Sequence, residues 1–581
     1  MLFRKLYFII FLVIVFNNNQ VNAEKPLVNK PKWSGGFQLS HDYYTFSGIN
    51  TNNLNYRRPA NLTKLSLYAA LSWKKVKLPF EIMLSSQGTN VVTPADQYSQ
   101  AYSVFSQIKT GRDLVNYLSN PINRVGFSPT IGKFKLLIGT HTPNYSELVQ
   151  GNISVFGAGF DYKGKNFFTA ASYGISQAPI EQNSAQNITG AFRRDQYAFR
   201  IGVGNTNKHL FAINFSGARD YYSSVVNKPL FIQPQQGAAT SIQFRFLILK
   251  NIFWENEMAA SLVTQNINDS AINNKNVDLN YSSLFPINIS TRADIAGNTA
   301  IGYNSKNVKI TAKALYVGAG YKSYGFPFFQ SDRLELTLNP QISFYKKRYS
   351  IGGSIGSRVN NLSGTKLAPM NQLIVTMNLN GQITDNLNLA LSYGNFGISN
   401  AVLNDTFIVK NVSQNMSITP SYNWQHVKSN DLFIVSYSYD VFQDFNVLSG
   451  NTNDNESNIF LASWNRSFET NPFSFGLTYN NFYFKSTFMN LNNHNINLNL
   501  GYNFFKGKIK SSFSIGRMLN NLDKYANGNT QWIANLGIDY RNKKGYATGL
   551  RWNSNHYNYG SERPNASFSE NTLRLSLSKQ F

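Results

Sequence analysis

The sequence predicts an all-β fold, a transmembrane antiparallel up-and-down β-barrel of about 26 strands, within a range of about 22–26. Three observations lead to this fold class. Apolar and polar residues alternate along short segments throughout the 581-residue chain. Short turns between these segments alternate with longer connections. The chain also ends in an amphipathic segment whose last residue is aromatic.

The alternation has the period of a β-strand. In residues 373–380 one face is apolar and the other is polar, and after a turn at residues 384–386 the same pattern returns. Two strands joined by so short a turn must run antiparallel. The apolar face of this hairpin consists of Leu373, Val375, Met377, Leu379, Leu387, Leu389, Leu391 and Tyr393.

The composition excludes several classes of protein. Charged residues make up only 14% of the chain, aromatic residues also 14%, and there is no cysteine. A disulfide-stapled domain, a thiolate metal site, a lipid-anchored lipoprotein and a cysteine enzyme are therefore excluded. The net charge of +25 is dispersed and accompanies no nucleic-acid-binding motif, so we expect no nucleic acid partner.

The connections distinguish a barrel from a soluble sandwich, which would also alternate. Short turns are expected between the even and odd members of the 26 predicted strands, and every other connection is expected to be longer. Short turns at one rim and long loops at the other are typical of outer-membrane barrels with periplasmic termini. The short turns are predicted near residues 74–77, 132–133, 163–165, 205–208, 250–251, 305–307, 346–348, 384–386, 426–430, 469–471, 506–508 and 541–544.

The N-terminus predicts export. Arg4 and Lys5 precede an apolar run over residues 6–16, and small residues suited to a signal peptidase follow. We expect a signal peptide at residues 1–23, a short periplasmic segment at 24–35 and a single barrel at 36–581. A retained N-terminal anchor is the alternative.

The C-terminus predicts assembly into the outer membrane. Leu573, Leu575, Leu577 and Phe581 alternate with polar residues up to the end of the chain. A terminal amphipathic strand that ends in an aromatic residue resembles the signal read by the barrel-assembly machinery. We therefore expect that machinery as a partner during biogenesis, with outer-membrane lipid and lipopolysaccharide around the finished barrel.

Three motifs resemble those of large outer-membrane barrels of Bacteroidota that lack a plug. They are Gly126-Phe127-Ser128-Pro129-Thr130, Val155-Phe156-Gly157-Ala158-Gly159-Phe160 and Ala171-Ser172-Tyr173-Gly174. The resemblance covers about a quarter of the chain in its motifs and implies the fold but no site residue. The first predicted strand starts within about 15 residues of the predicted cleavage site, so we expect no N-terminal plug domain of the kind that TonB-dependent receptors carry.

The insert at residues 94–121 departs from that pattern. Its apolar residues recur at spacings of three and four, which predicts a short helix inside a long loop. Two interpretations remain open: the insert folds into the lumen as a constriction, or it forms an external cap or disordered segment. The residues concerned are Tyr98, Tyr102, Phe105, Ile108, Leu114, Tyr117 and Leu118.

Charged residues on the predicted strands are expected to point into the lumen, because charges in hydrocarbon are costly. They either form lumenal ion pairs and polar packing or line a selective path for a substrate. The candidates are Arg200, Arg245, Glu255, Glu257, Arg333, Glu335, Asp440, Asp539, Arg541 and Arg551.

Two function classes follow from these observations. The first is a transport or export conduit gated by a loop or by a partner, and the second is a non-conducting barrel that serves as scaffold or accessory subunit of a larger outer-membrane complex. The six histidines are scattered and no catalytic or metal-binding motif recurs, so we expect no enzyme, no cofactor and no metal. A periplasmic or lipoprotein partner is a further expectation.

Overall fold

The described residues form one closed antiparallel barrel. The computed structural model describes residues 31–48, 60–86, 108–119, 123–184, 188–205, 208–272, 285, 287–327, 329–365, 368–400, 409–446, 448–522, 528–560 and 566–581. Its 26 strands pair in chain order, and the last pairs with the first from Gly36↔Gln580 to Gly48↔Phe568. The predicted fold class and strand number are confirmed. The predicted signal peptide at residues 1–23 lies outside the described residues.

Twenty-three of the 26 strands have ten or more residues, about the length that crosses a bilayer. In chain order they are β1 Lys32–Gly48, β2 Asn61–Trp73, β3 Val76–Ser85, β4 Arg124–Phe127 with Thr130–Ile131, β5 Phe134–His141, β6 Val155–Lys163, β7 Phe167–Gln177, β8 Arg193–Gly204, β9 Leu210–Tyr221, β10 Gln236–Leu249, β11 Ile252–Thr264, β12 Thr291–Asn304, β13 Val308–Val317, β14 Arg333–Phe344, β15 Tyr349–Asn360, β16 Met370–Gln382, β17 Leu387–Asn400, β18 Lys410–Gln425, β19 Ser429–Asp444, β20 Asn455–Phe468, β21 Phe473–Ser486, β22 Asn490–Phe504, β23 Ile509–Leu522, β24 Asn529–Arg541, β25 Tyr546–Asn558 and β26 Phe568–Gln580.

Strand β4 is interrupted at Ser128 and Pro129, and its two segments pair with the same neighbours, β3 and β5. Proline has no N–H for the ladder, so a break or bulge is expected there. The Ser128 amide still donates to Pro79 O at 3.0 Å, and the Leu136 amide donates to Pro129 O at 2.8 Å. The break therefore bends the strand without opening the barrel.

The connections follow the predicted pattern with one exception. The twelve turns between even and odd strands are short and lie at the rim where both ends of the described chain meet, with Gly35 N donating to Phe581 O at 2.9 Å. At the opposite rim most connections are longer. The expectation that all of them are longer is wrong for β21–β22, which are joined by residues 487–489 alone. There Ser486 N donates to Met489 O at 2.9 Å and closes a tight turn.

The register assigns each residue to one face of the wall, since paired residues share a face and neighbours in sequence do not. The outer face carries exposed apolar side chains such as Met258, Ile301 and Leu575. The inner face carries mostly small and polar residues. No helix in the described part of the chain is long and apolar enough to span a membrane.

Strand β1 begins at Lys32, four residues before residue 36, where we expected the barrel to start. Its first residues pair with β2, beginning at Lys32↔Ser72. The barrel thus takes up the end of the segment that we expected at 24–35. Within the insert, the structure describes one helix, α1, over Gly111–Ser119, while residues 94–107 and 120–121 lie outside the described residues.

Candidate functional site

The candidate site is a loop that lies inside the barrel. Residues 142–154 connect β5 to β6 and pack on the inner wall instead of extending away from the rim. Leu148 and Val149 are 1% and 0% exposed and form one apolar cluster with the wall residues Ala239, Ala259, Ala296 and Val317. Alanines leave room on the wall for the larger loop side chains. Burial of Leu148 and Val149 stabilises the docked loop by about 1.5–3 kcal/mol each.

A buried carboxylate anchors this loop to β11. Glu257 accepts hydrogen bonds from Ser146 Oγ, from Ser241 Oγ at 2.7 Å and from the Glu147 amide at 3.3 Å. Glu257 lies seven positions before the end of β11 at Thr264. With a rise of about 3.3 Å per residue and a strand tilt of about 40°, the anchor lies about 18 Å below the long-loop rim. The loop therefore enters the middle of the lumen.

Two further loop side chains bond to the wall on either side of that anchor. Glu147 accepts from Asn298 Nδ2 at 2.7 Å and from Lys313 Nζ at 3.0 Å. The fully buried Gln150 accepts from Gln196 Nε2 at 2.7 Å and from Ser216 Oγ at 2.6 Å. These bonds attach the loop to strands β8, β9, β12 and β13. Because the buried Gln150 amide would be costly to leave unpaired, its bonds specify one docked position of the loop, and the exposed bonds of Glu147 contribute less.

A second loop, residues 318–332 between β13 and β14, covers the first. Tyr321 Oη donates to Leu148 O at 2.9 Å and Ser323 Oγ donates to Val149 O at 2.5 Å. Gln150 and Gly325 form a parallel β-bridge. A Cβ at Gly325 would lie 2.1 Å from Val149 O, so only glycine permits this approach. We call the two segments the lumenal loop pair.

The second loop has its own contacts with the wall. Lys322 Nζ and Tyr324 Oη both donate to Gln235 Oε1, at 2.9 and 3.0 Å. Arg194 stacks on the Tyr324 ring at 4.5 Å and forms a bidentate ion pair with Asp220 at 2.7 and 2.8 Å. Burial lowers the pKa of the Lys322 ammonium, and the nearby Arg194 lowers it further. Burial raises the pKa of the Tyr321 and Tyr324 hydroxyls.

A cavity of about 480 Å³ lies beside the first loop. Its lining includes Tyr145 from the loop and inward-facing residues of strands β3 to β8. Tyr145 is buried against Ala170 and Ala198, and burial raises the pKa of its hydroxyl. The charged side chains in the lining are Glu81, Arg124, Lys135, Asp161, Lys163 and Arg200.

The register places all ten charged candidates on the inner face of the wall. Six lie on the strands near the loop pair. Among these, Glu257 anchors the first loop, Arg245 pairs with Glu255, and Glu335 pairs with Arg358 at 2.7 Å and Arg333 at 3.8 Å. The sixth is Arg200, whose Nη2 donates to Gln243 Oε1 at 3.1 Å.

The other four candidates lie on strands β19, β24 and β25. Arg551 lies 3.7 Å from Asp539 with both side chains largely exposed. Arg541 ends β24 at the short-turn rim. Asp440 forms no ion pair within the described ranges. The structure thus brings six candidates near the loop pair and leaves four apart from it, while their role in a substrate path stays a prediction.

The predicted insert contributes a helix at the long-loop rim. Tyr117 Oη of α1 donates to the carbonyl of Ser85, the last residue of β3, at 2.7 Å. Arg112 Nη2 donates to Ser224 O at 2.7 Å, in the loop that joins β9 to β10. Helix α1 therefore bridges the ends of distant strands at the mouth. The deep contacts in the lumen come from the lumenal loop pair, which the sequence analysis did not identify.

One signal in the sequence could have identified the docked loops. Inward positions of the wall near them are alanine, whereas a water-lined wall favours polar residues. Such a run of small apolar residues on an inner face indicates that something covers it. These alanines are Ala170, Ala198, Ala239, Ala259 and Ala296.

The described residues contain no group of three or more His, Asp or Glu side chains that could hold a metal ion. No family model matches the chain and no curated protein matches it. Solved structures with similar folds include OccAB4 of Acinetobacter baumannii, at 14% identity and a TM-score of 0.30, with 66% of this chain and 98% of that chain covered. The P pilus usher (PapC) translocation pore shares 10% identity at a TM-score of 0.33, with 94% and 99% covered.

Pseudomonas aeruginosa OccK5 (OpdH) has 13% identity and a TM-score of 0.29, and the alignment covers 67% of this chain and 96% of that chain. Similarities this low carry no argument about what the chain transports or binds. The function must therefore be argued from the barrel itself.

Proposed function

We propose that this protein is an outer-membrane β-barrel that conducts solutes across the membrane, with its lumen narrowed on one side by the lumenal loop pair. Three features support the location. The barrel is closed, its outer face is apolar and exposed, and its long loops lie at one rim. These are the features of barrels in a lipid bilayer. The signal peptide expected at residues 1–23 agrees with export.

The observation that carries the proposal is the position of the loop at residues 142–154. It is docked at Glu257, about 18 Å below the rim, where it occupies part of the cross-section of a wide barrel. Barrels of this strand number enclose a lumen much wider than side chains alone can fill. The inner face of the opposite wall remains half-exposed. A solute path therefore runs between the docked loops and that wall.

Excision of the loop tests the proposal directly. Thr142 Oγ1 and Ser154 Oγ lie 2.9 Å apart, so the ends of the loop are adjacent and two glycines should replace residues 145–151 without breaking the barrel. We expect a larger single-channel conductance in planar bilayers for this variant than for the wild type. Replacement of residues 448–453 by two glycines, in the loop between β19 and β20, is the matched control and should leave the conductance unchanged.

The alternative function, a non-conducting scaffold, predicts another result. Wild-type protein, the excised variant and the control would then all fail to conduct, although each shows heat-modifiable migration as a folded barrel. Equal conductance in wild type and excised variant would instead mean that the loop pair does not narrow the path.

A further inference from the structure

The short-turn rim carries a strong excess of positive charge. The twelve short turns contain fifteen Lys and Arg but only two carboxylates, Asp385 and Glu469, and ten of the turns hold at least one basic residue. Asp385 pairs with Arg348, and none of the fourteen turn lysines forms an ion pair within the described ranges. All fourteen are exposed. We call these fourteen lysines the basic ring.

Solvation of the turns does not explain this excess. Connecting segments generally face water and accept charges of either sign. The segments that connect the strands at the opposite rim hold ten Lys and Arg against eleven Asp and Glu. The charges of those segments are thus balanced, whereas the charges of the short turns are not.

The backbone of the turns gives a second, independent indication. Lys74, Lys346, Lys347 and Lys506 have left-handed φ angles of 51°, 55°, 68° and 57°. Tight turns with such angles favour Gly, Asn or Asp, because a larger side chain is crowded in this conformation. Turn formation alone would therefore select another residue. The positive charge of lysine is what these four positions require.

Exposed aromatic side chains mark the level of the basic ring relative to the bilayer. Trp73, Phe134, Phe344 and Trp424 lie on the outer face of the wall, each within two residues of a short turn. The Lys74 ammonium lies 5.3 Å from the centre of the Trp73 ring. Aromatic girdles of membrane barrels lie at the level of the lipid headgroups. The basic ring, directly beside this girdle, therefore lies among the headgroups.

We propose that the basic ring binds the anionic headgroups of phospholipids in the leaflet at the short-turn rim. Its lysines extend from the turn at 74–75 to the turn at 542–545, so they surround the barrel. A docked protein would contact one arc of the rim, whereas headgroups contact all of it. Lysine suits this position, because its stem packs on apolar surface while its ammonium reaches the phosphates. The inference rests on the proposed location in a bilayer and not on conduction.

Native mass spectrometry of the detergent-solubilised full chain tests the proposal. Phosphatidylglycerol, which is anionic, and phosphatidylcholine with the same acyl chains, which has no net charge, are added at equal concentrations. Each basic residue near an anionic surface strengthens the attraction about fivefold. We therefore expect the wild type to retain at least about five times more phosphatidylglycerol than phosphatidylcholine. Added salt should reduce this preference, because it screens exposed charges.

A variant with Lys74→Asn, Lys346→Asn, Lys347→Asn and Lys506→Asn removes four of the fourteen lysines. Asparagine adopts left-handed backbone more readily than lysine, so the barrel should stay at least as stable as the wild type. We expect the number of phosphatidylglycerol molecules bound at a fixed lipid concentration to fall by about a quarter, in proportion to the lost lysines.

The matched control combines Lys64→Gln, Lys109→Gln, Lys410→Gln and Lys485→Gln, which remove the same charge away from the short turns. It should retain phosphatidylglycerol as the wild type does. Equal retention of the two lipids by the wild type would overturn the proposal and is the result expected if the ring binds an acidic protein. Equal losses in the variant and the control would also overturn it, because net charge would then set the preference. Neither result depends on conduction, so both are distinct from a failure of the proposed function.

Discussion

Two regions of the barrel wall use their inner faces differently. From β7 to β14 the inner face carries alanines and a buried carboxylate and is covered by the lumenal loop pair; we call this the covered wall. From β15 to β26, the open wall, the inner face is mostly polar and half-exposed, as at Asn495, Asn497 and Asn499. An asparagine-rich surface suits water, whereas an alanine surface suits a packed loop. The lumen is therefore asymmetric.

The charged side chains of the two walls also differ in their burial. On the covered wall, carboxylates such as Glu257 and Asp220 are buried and fully engaged in hydrogen bonds. On the open wall, Arg551 and Asp539 are largely exposed at 3.7 Å, a separation at which an exposed ion pair contributes little stability. We infer that Glu257 and Asp220 on the covered wall hold structure, while Arg551 and Asp539 on the open wall face the aqueous path.

Of the substitutions considered, loss of the buried Glu257 carboxylate should weaken docking of the first loop most. Glu257→Ala leaves the Ser146 and Ser241 hydroxyls and one backbone amide without their acceptor, so we expect docking of the first loop to weaken by about 2–4 kcal/mol. Hydrogen exchange at the amides of residues 145–151 should accelerate accordingly.

Asp440→Ala is the matched change on the open wall. Because Asp440 forms no ion pair within the described part of the chain, its removal should change barrel stability by no more than about 0.5 kcal/mol. Slow exchange retained in Glu257→Ala, or equal effects of the two substitutions, would mean that the walls do not differ as we infer.

The barrel was predictable from sequence because its signal is repeated in every strand. Apolar and polar residues alternate at residues 373–380 and at Leu573, Leu575 and Leu577 because one face of each strand contacts lipid and the other faces the lumen. The break in β4 and the tight turn at residues 487–489 were not predicted, because they depend on single residues and their hydrogen bonds.

The candidate site was predictable only in part. Charged inward positions such as Glu257 follow from the cost of charge in lipid, but their partners depend on which loop folds back. We considered the insert at 94–121 as the constriction because of its length and apolar spacing. The deep loop at 142–154 is shorter, and its docking depends on contacts with strands more than a hundred residues later in the chain, such as the bond between Ser146 and Glu257. Such contacts leave no local pattern in the sequence.

A smaller effect on docking is expected when a larger side chain fills the space that the first loop occupies. Ala259→Leu adds volume beneath Leu148 and Val149, and overpacking of a close-packed contact costs about 1–3 kcal/mol. The loop should undock in a fraction of molecules, which would appear as two conductance levels. Ala390→Leu adds the same volume to the open wall, where Ala390 is half-exposed on the inner face of β17. The Ala390→Leu control should show one conductance level. Two conductance levels in both variants would mean that the covered wall and the open wall do not differ in this respect.

The smallest effect concerns the pH dependence of the second loop. Burial and the nearby Arg194 lower the pKa of Lys322 in the docked loop below its ordinary value of 10.5, so the docked form holds this proton less tightly than the free loop. Docking therefore strengthens as pH rises from the docked pKa towards 10.5. Above about pH 10 the opposite sign takes over, because the raised pKa values of Tyr321 and Tyr324 mean that the free loop loses those protons first.

An environment-sensitive fluorophore on Ala319→Cys reads docking as a function of pH, and the absence of native cysteines makes this label unique. We expect a rise and then a fall in the docked signal as pH increases. Adding Lys322→Met should remove the rise and keep the fall, since Tyr324 still donates to Gln235 at 3.0 Å. A rise that persists without Lys322 would assign the dependence to another group, and a flat profile in the parent protein would show that the second loop does not undock in this pH range.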